Sequence, residues 1–284
     1  MVQSLNRVLT LFSSMRGQAM ASIALTIAGS DSGGGAGIQA DLKSFSALGV
    51  YGASVITAVT AQNTKTVAAV HAIPAAMVEA QIKTVLDDLD VKAIKIGMLA
   101  TAEIIAAVAD ALRSFQGHIV LDPVMVAKSG DALLDESAVS ALLQHLVPRA
   151  TLLTPNLPEA AKLLGASPAM SLAEMLAQGQ ELCSKGAAAV LMKGGHRQGE
   201  TCVDLLVTPQ NHLRFEMPRL ATRNTHGTGC SLSSAIAAEL AKGKTLHEAV
   251  TRAHDWLHEA IKHADGLNVG QGHGPVHHFH EWWP

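Results

Sequence analysis

Asn224-Thr225-His226-Gly227-Thr228-Gly229-Cys230 runs without a break into Ser231-Leu232-Ser233-Ser234-Ala235-Ile236-Ala237-Ala238-Glu239-Leu240. Leu232, Ile236 and Leu240 recur at helical spacing, so a helix is expected to begin near Cys230. Gly227 and Gly229 leave the entering backbone unshielded, free to turn its N–H groups toward an anion at the positive end of that helix. Glycines also serve plain turns, and the motif by itself leaves both readings open. Cys230 adds a chemical clue. A thiol at a helix N-terminus can have its pKa lowered from roughly 8.5 toward neutrality, which suits a proton acceptor; a small cysteine packed under the turn is the alternative.

Upstream of this motif, short apolar runs alternate with amphipathic stretches. Residues 23–28 read as a buried strand that breaks at Gly29, 38–48 as a helix closed by Gly49, and 54–60 as a second strand. Further strands are expected at 93–99, 119–125, 150–154 and 187–192, with helices at 77–89 and 102–115. Residues 202–207 and 212–217 flank Thr208-Pro209-Gln210-Asn211 as a hairpin, and 246–264 reads as a last helix. This alternation predicts a single three-layer α/β/α domain over residues 21–284 around a mainly parallel sheet. Ligands of such sheets gather at the carboxyl ends of the strands, where Asp122 falls. Residues 1–20 hold Arg7 and Arg16 but no acidic residue, and their apolar run is too short for a secretory core; a disordered extension is expected there.

Composition narrows the function classes. The chain has 284 residues, 48% of them hydrophobic, enough for a sizeable core. With 16% charged residues and a formal net charge of -3, it shows no electrostatic footprint for nucleic acid or an anionic membrane. No apolar run reaches the roughly 18 residues needed to span a bilayer. The three cysteines are widely spaced and odd in number, which fits a reducing cytosol rather than a disulfide or zinc framework. Small-molecule chemistry is the expectation.

Two other stretches invite nucleotide readings. Gly35-Ala36-Gly37-Ile38-Gln39-Ala40 matches a dinucleotide-binding turn, yet the second strand ends in Ala61-Gln62-Asn63-Thr64, without an acidic residue for a ribose. Ala238-Glu239-Leu240-Ala241-Lys242-Gly243-Lys244-Thr245 comes close to a P-loop. It ends one helix at Gly243, however, and starts another at Thr245, where Thr245-Leu246-His247-Glu248 has capping-box form. The tail carries His273, His277, His278 and His280, whose short spacing among Gly and Pro gives no four-ligand metal geometry.

Thr225-His226-Gly227-Thr228-Gly229-Cys230, the early glycines followed by Ile38-Gln39-Ala40-Asp41, Ile96-Gly97-Met98-Leu99, the Asn156-x-x-Glu159 pair and the C-terminal tail occur together and in order. Over residues 22–283 the chain thereby resembles the hydroxymethylpyrimidine/phosphomethylpyrimidine kinases of thiamine synthesis, a branch of the ribokinase-like vitamin kinases. Most sugar kinases of that superfamily carry Asp where this chain has Cys230. The resemblance implies a ribokinase-like fold and ATP-dependent phosphorylation of 4-amino-5-hydroxymethyl-2-methylpyrimidine, then of its monophosphate, with Mg2+ as cofactor. It makes Cys230 the proton acceptor and Gly227, Thr228 and Gly229 the anion hole. It places Gln62, Asp41, Met98 and Gly29 at the pyrimidine, Lys193 and Asn156 at ATP phosphates, and Asp122 and Glu159 at the metal. A cytoplasmic homodimer is also implied.

Several of these residues have plainer local roles. Asn156 and Glu159 would cap and start a helix before Ala160, and Asp41 would favour the first turn of its own helix. Gln62 would be a loop amide, Met98 core, and Lys193 a solvated lysine at a strand end. A pyridoxal kinase of the same superfamily and a non-catalytic pyrimidine-binding regulator are the rival functions.

Overall fold

Side chains along the first strand, β1 (Ile23–Asp31), alternate between two cores: Leu25 and Ile27 enter one, Ala24 the other. The computed structural model describes residues 21–125, 136–195 and 199–283. The expected extension at 1–20 lies outside them. The remaining strands are β2 (Tyr51–Gln62), β3 (Val67–Ala72), β4 (Val91–Ile96), β5 (His118–Leu121), β6 (Leu152–Leu153), β7 (Val190–Met192), β8 (Thr201–Val207) and β9 (His212–Pro218). All nine join one sheet in the order β3-β2-β1-β4-β5-β6-β7-β8-β9. The six central strands pair in parallel, while β3 at one edge and β8 and β9 at the other are antiparallel.

The helices are α1 (Gly37–Ala47), α2 (Ala75–Asp88), α3 (Ala102–Ala111), α4 (Glu136–Ala141), α5 (Leu157–Leu164), α6 (Leu172–Ser184), α7 (Thr228–Ala241) and α8 (Leu246–Lys262). Helices α2 to α6 cover one face of the sheet through residues such as Ile82, Ile105, Leu163 and Leu182. On the other face α1, α7 and α8 bring Phe45, Ile236 and the fully buried Trp256. The expected three-layer α/β/α arrangement is therefore present.

Differences from the expected elements have local causes. Strand β1 does not stop at Gly29 but bulges between Ala28 and Ser30, which keeps it paired with β2 as far as Asp31. Strand β3 carries no buried stripe to announce it, because nearly all of it is exposed and only backbone pairing with β2 defines it. Helix α6 was absent from the expected set, and its start is set by a capping box between Ser171 and Glu174. Strands β4 and β5 stop before their apolar runs do, because the residues from Gly97 and from Asp122 onward leave the ladder for the cleft, whereas β6 and β7 start later than theirs, at Leu152 and Val190. At 238–245, α7 ends and α8 begins with Thr245 and Glu248 in the expected capping box, so no P-loop forms.

Candidate active site

The chain leaves β1 for β2 on one side and returns to β4 on the other, so the sheet's connections reverse at β1. A reversal of this kind leaves a crevice beyond the carboxyl ends of the two strands, and a cleft of about 1100 Å³ lies there. Every residue assigned above to substrate, phosphate, metal or proton transfer lines it, except Asp41.

One wall is the start of α7. Gly227 caps the helix at φ 77, and a Cβ at this position would collide with the Gly35 carbonyl. No side chain caps this helix end. The first-turn amides of Gly229 and Cys230 are therefore left at the positive end of the helix, beside the cleft. Lys193 reaches the same point: its Nζ would sit 3.4 Å from a Cβ on Gly229. The lysine donates to Asp122 Oδ1 at 2.9 Å, and Asp204 holds its loop by accepting the Gly194 amide at 2.7 Å. Burial alone would lower the Lys193 pKa, but Asp122 and Glu159 hold it above its ordinary value. Burial would likewise raise Asp122, which Lys193 and Lys95 instead keep below the usual carboxylate value.

Asn156 and Glu159 take both of the roles foreseen for them locally. The Glu159 amide donates to Asn156 Oδ1 at 2.9 Å and the Asn156 amide to Glu159 Oε2 at 2.8 Å, a complete capping box for α5. Both side chains still line the cleft. Burial pushes the Glu159 carboxyl up to about 7, opposed by Lys193 and reinforced by the Asp122 charge.

Cys230 departs from expectation. Burial pushes its thiol up to about 11, against the pull of the Lys95 charge and the Gly37 amide. Desolvation outweighs the helix end here, so at neutral pH the side chain is a thiol.

On the β1 side of the cleft, Gly29 lets Met98 lie across the strand, since a Cβ on Gly29 would stand 2.5 Å from Met98 Cε. The Met98 carbonyl accepts the Thr57 hydroxyl at 2.6 Å, which fixes this wall in place. Gln62 stands at the end of β2 with its backbone amide and carbonyl both bonded to the Ser32 hydroxyl, at 2.8 and 2.9 Å. The glycine-rich loop between β1 and α1 is not a phosphate cradle, because Asp31 has filled it. Its Oδ1 accepts the Gly33 amide, its Oδ2 the amides of Gly35 and Ala36, and its carbonyl the amide of Gly34. That contact, together with the missing ribose carboxylate, disposes of the dinucleotide reading.

Asp41 needs correction. It is fully buried beneath the cleft, where its carboxylate accepts from Lys95 at 3.0 Å, Ser234 at 2.6 Å and Thr26 at 2.6 Å. These bonds occupy it, and it has no surface to offer a substrate. Lys95 is the residue the sequence reading passed over. Burial would lower its ammonium, but Asp41, and beyond it Cys230 and Asp122, raise it, so it stands as a permanent positive charge under the thiol. The trace of it was visible in Ala93-Ile94-Lys95-Ile96, a lysine inside an otherwise apolar strand. Leu220, Leu257 and Ile261 add apolar surface to the lining of the cleft. Among the described residues no group of three or more His, Cys, Asp and Glu side chains is placed to hold a metal, the tail histidines included.

A family model described as phosphomethylpyrimidine kinase matches residues 31–277. The hydroxymethylpyrimidine/phosphomethylpyrimidine kinase of Rhizobium meliloti is 59% identical over 264 residues, covering 93% of this chain and 99% of that protein. The enzyme of the same name from Escherichia coli is 54% identical over 92% of this chain and 98% of its own length. Among solved structures, Bacillus subtilis pyridoxal kinase with ADP aligns at TM-score 0.84 and 38% identity, over 90% of this chain and 97% of that one. A Clostridium difficile phosphomethylpyrimidine kinase aligns at TM-score 0.75 and 44% identity, over 84% and 99%.

Proposed function

This chain belongs to the phosphomethylpyrimidine kinase family, and we propose that its cleft phosphorylates 4-amino-5-hydroxymethyl-2-methylpyrimidine with ATP, and then the monophosphate, to give the diphosphate used for thiamine. The observation that carries this reading is the meeting of Lys193, Cys230 and the uncapped start of α7 in one cleft with Gln62. Phosphoryl transfer asks a protein mainly for positioning and for fixed positive charge around the moving group. The α7 amides and Lys193 supply that charge. Gln62 offers a donor and an acceptor together, which suits an aminopyrimidine edge. The apolar surface of Leu220, Leu257 and Ile261 suits an adenine ring. Cys230 stands at the anion cradle, where the substrate hydroxyl would give up its proton.

Asp122, Glu159 and Asn156 fit a magnesium ion that keeps several waters. They present hard oxygens, and Glu159 sits near 7 partly because Asp122 adds negative charge beside it. Bound there with ATP, the ion would neutralise charge on the transferring phosphate. Glu159→Gln is expected to raise half-saturating magnesium about tenfold and to cut kcat, with the melting temperature little changed. Magnesium titration at saturating ATP measures this, and unchanged half-saturation would remove Glu159 from the metal site.

Gln62→Ala should raise the pyrimidine KM by the loss of roughly 1–3 kcal/mol, about 5- to 150-fold, and leave the ATP KM within about twofold. Unchanged pyrimidine kinetics would return Gln62 to loop structure. The substrate itself is settled by coupled ADP-release assays with the aminopyrimidine alcohol and with pyridoxal. Pyridoxal is the second reading because Bacillus subtilis and Staphylococcus aureus pyridoxal kinases share the fold closely. A tenfold preference for pyridoxal would replace the first reading. We also take residues 21–284 as one domain, acting in the cytoplasm. A homodimer fits the exposed Val59 and Val70 at the β2–β3 edge, and light scattering in solution tests it.

A further inference from the structure

His226 stands between the first loop and the anion cradle, packed against Gly35 so closely that no Cβ could be added there. Its Nε2 is 2.9 Å from Asp31 Oδ2 and 3.3 Å from Gln62 Nε2. The amides already gathered on Asp31 mark it as a carboxylate, and a carboxylate only accepts. His226 Nε2 must then carry a hydrogen and donate it to Asp31. In consequence the Gln62 NH2 group faces another N–H, an arrangement with no hydrogen bond in it.

The Gln62 backbone cannot move to relieve this, because Ser32 holds both its amide and its carbonyl. The remaining freedom is a half-turn of the side-chain amide, which exchanges O and NH2 in nearly the same positions. Turned over, Gln62 presents Oε1 to His226 instead, which replaces the N–H against N–H contact with a share of the hydrogen that Asp31 Oδ2 accepts. The NH2 group then falls beside the Thr60 hydroxyl, which can accept from it because its own hydrogen goes to the Ser30 carbonyl at 3.0 Å. A glutamine free to turn over reads two opposite edges equally well: an aminopyrimidine, with an acceptor ring nitrogen and a donor amino group, or its oxo counterpart, with a donor ring N–H and an acceptor oxygen. A glutamine locked in one orientation reads one of them.

We propose that His226, held by Asp31, is the positioning residue that locks the Gln62 amide and so makes the cleft discriminate an amino from an oxo group on the ring. The inference rests on the pyrimidine reading above. It predicts selectivity that resides in a residue acting on the ring through Gln62.

The test is the ratio of kcat/KM for the 4-amino hydroxymethylpyrimidine to that for its 4-oxo analogue, a ratio in which any general damage to catalysis cancels. The parent should favour the amino compound by at least about 10², as expected when a site built of paired hydrogen bonds meets the reversed pattern. His226→Phe should shrink that ratio about tenfold or more, chiefly by lowering the KM of the oxo compound. His226→Gln, whose amide can return an N–H to the place of Nε2, should keep the parental ratio. Should His226→Phe not fold, His226→Asn, too short to reach that place, should narrow the ratio equally. A ratio within about twofold of the parent in the Phe or Asn variant overturns the proposal, and so does a narrowed ratio in His226→Gln. Failure of the parent to phosphorylate either pyrimidine, with ATP binding intact, overturns the substrate reading itself and this inference with it.

Discussion

Cys230→Ala is expected to lower kcat by about 10²–10⁴ while leaving both KM values within about twofold, the usual scale for losing a positioned proton acceptor. The thiol near 11 makes the pH dependence more telling than the rate. Only the thiolate accepts a proton, and its fraction rises tenfold per pH unit until the pKa is reached. In the parent, kcat/KM should therefore climb with unit slope from about pH 7.5 to 10, with no plateau near neutrality. That slope should vanish in Cys230→Ala. Cys230→Asp, which installs the base that the sugar kinases carry, should recover part of the rate and flatten the profile. Parental kcat together with a parental slope in the alanine variant would make Cys230 a packing residue, leaving catalysis to Lys193 and the α7 amides.

Asp41→Leu should be the most destabilising of the changes considered. Both partners of the Lys95–Asp41 pair are fully buried, and removing the carboxylate strands a charge that nothing else in the core neutralises directly. Breaking such a pair typically costs about 3–5 kcal/mol, or about 10 °C in melting temperature for a chain of this size. Asp41→Leu combined with Lys95→Met should recover most of that loss, because an apolar pair of similar volume needs no compensation. The double variant should nevertheless turn over slowly, since the charge beneath Cys230 is gone and the thiol would ionise at still higher pH. Thermal melts of the two variants separate the stability effect from the electrostatic one. A melting temperature for Asp41→Leu within about 1 °C of the parent would show that the pair carries no structural weight.

Most of the architecture was legible in sequence because buried parallel strands read as apolar runs, and the runs alternated with helical patterns. Strand β3 was not, since an exposed edge strand has no apolar period to display. The site was legible in outline for a different reason: its residues fall just after strand ends, where the loops of this fold converge. What sequence could not convey was depth. Asp41 stands one turn into α1, just after the loop glycines, yet the helix drops it under the floor, against Lys95. Cys230 has the helix N-terminus that lowers a thiol pKa, but only the folded packing shows how little water is left beside it. In sequence, Asn156 and Glu159 fit either a cap or a ligand pair, whereas the fold spends one Glu159 oxygen on the cap and still brings the side chain to the cleft.

The carboxylate of Asp31, bonded to the turn that follows it, also gives the cleft a direction. With the amides of Gly33, Gly35 and Ala36 already satisfied from within, the loop after β1 keeps those three donors from a phosphate. The open donors lie at α7 and Lys193. If Gln62 holds the ring as proposed, a monophosphate returning for its second transfer would find its donors at α7 and Lys193, with its ring toward Gln62.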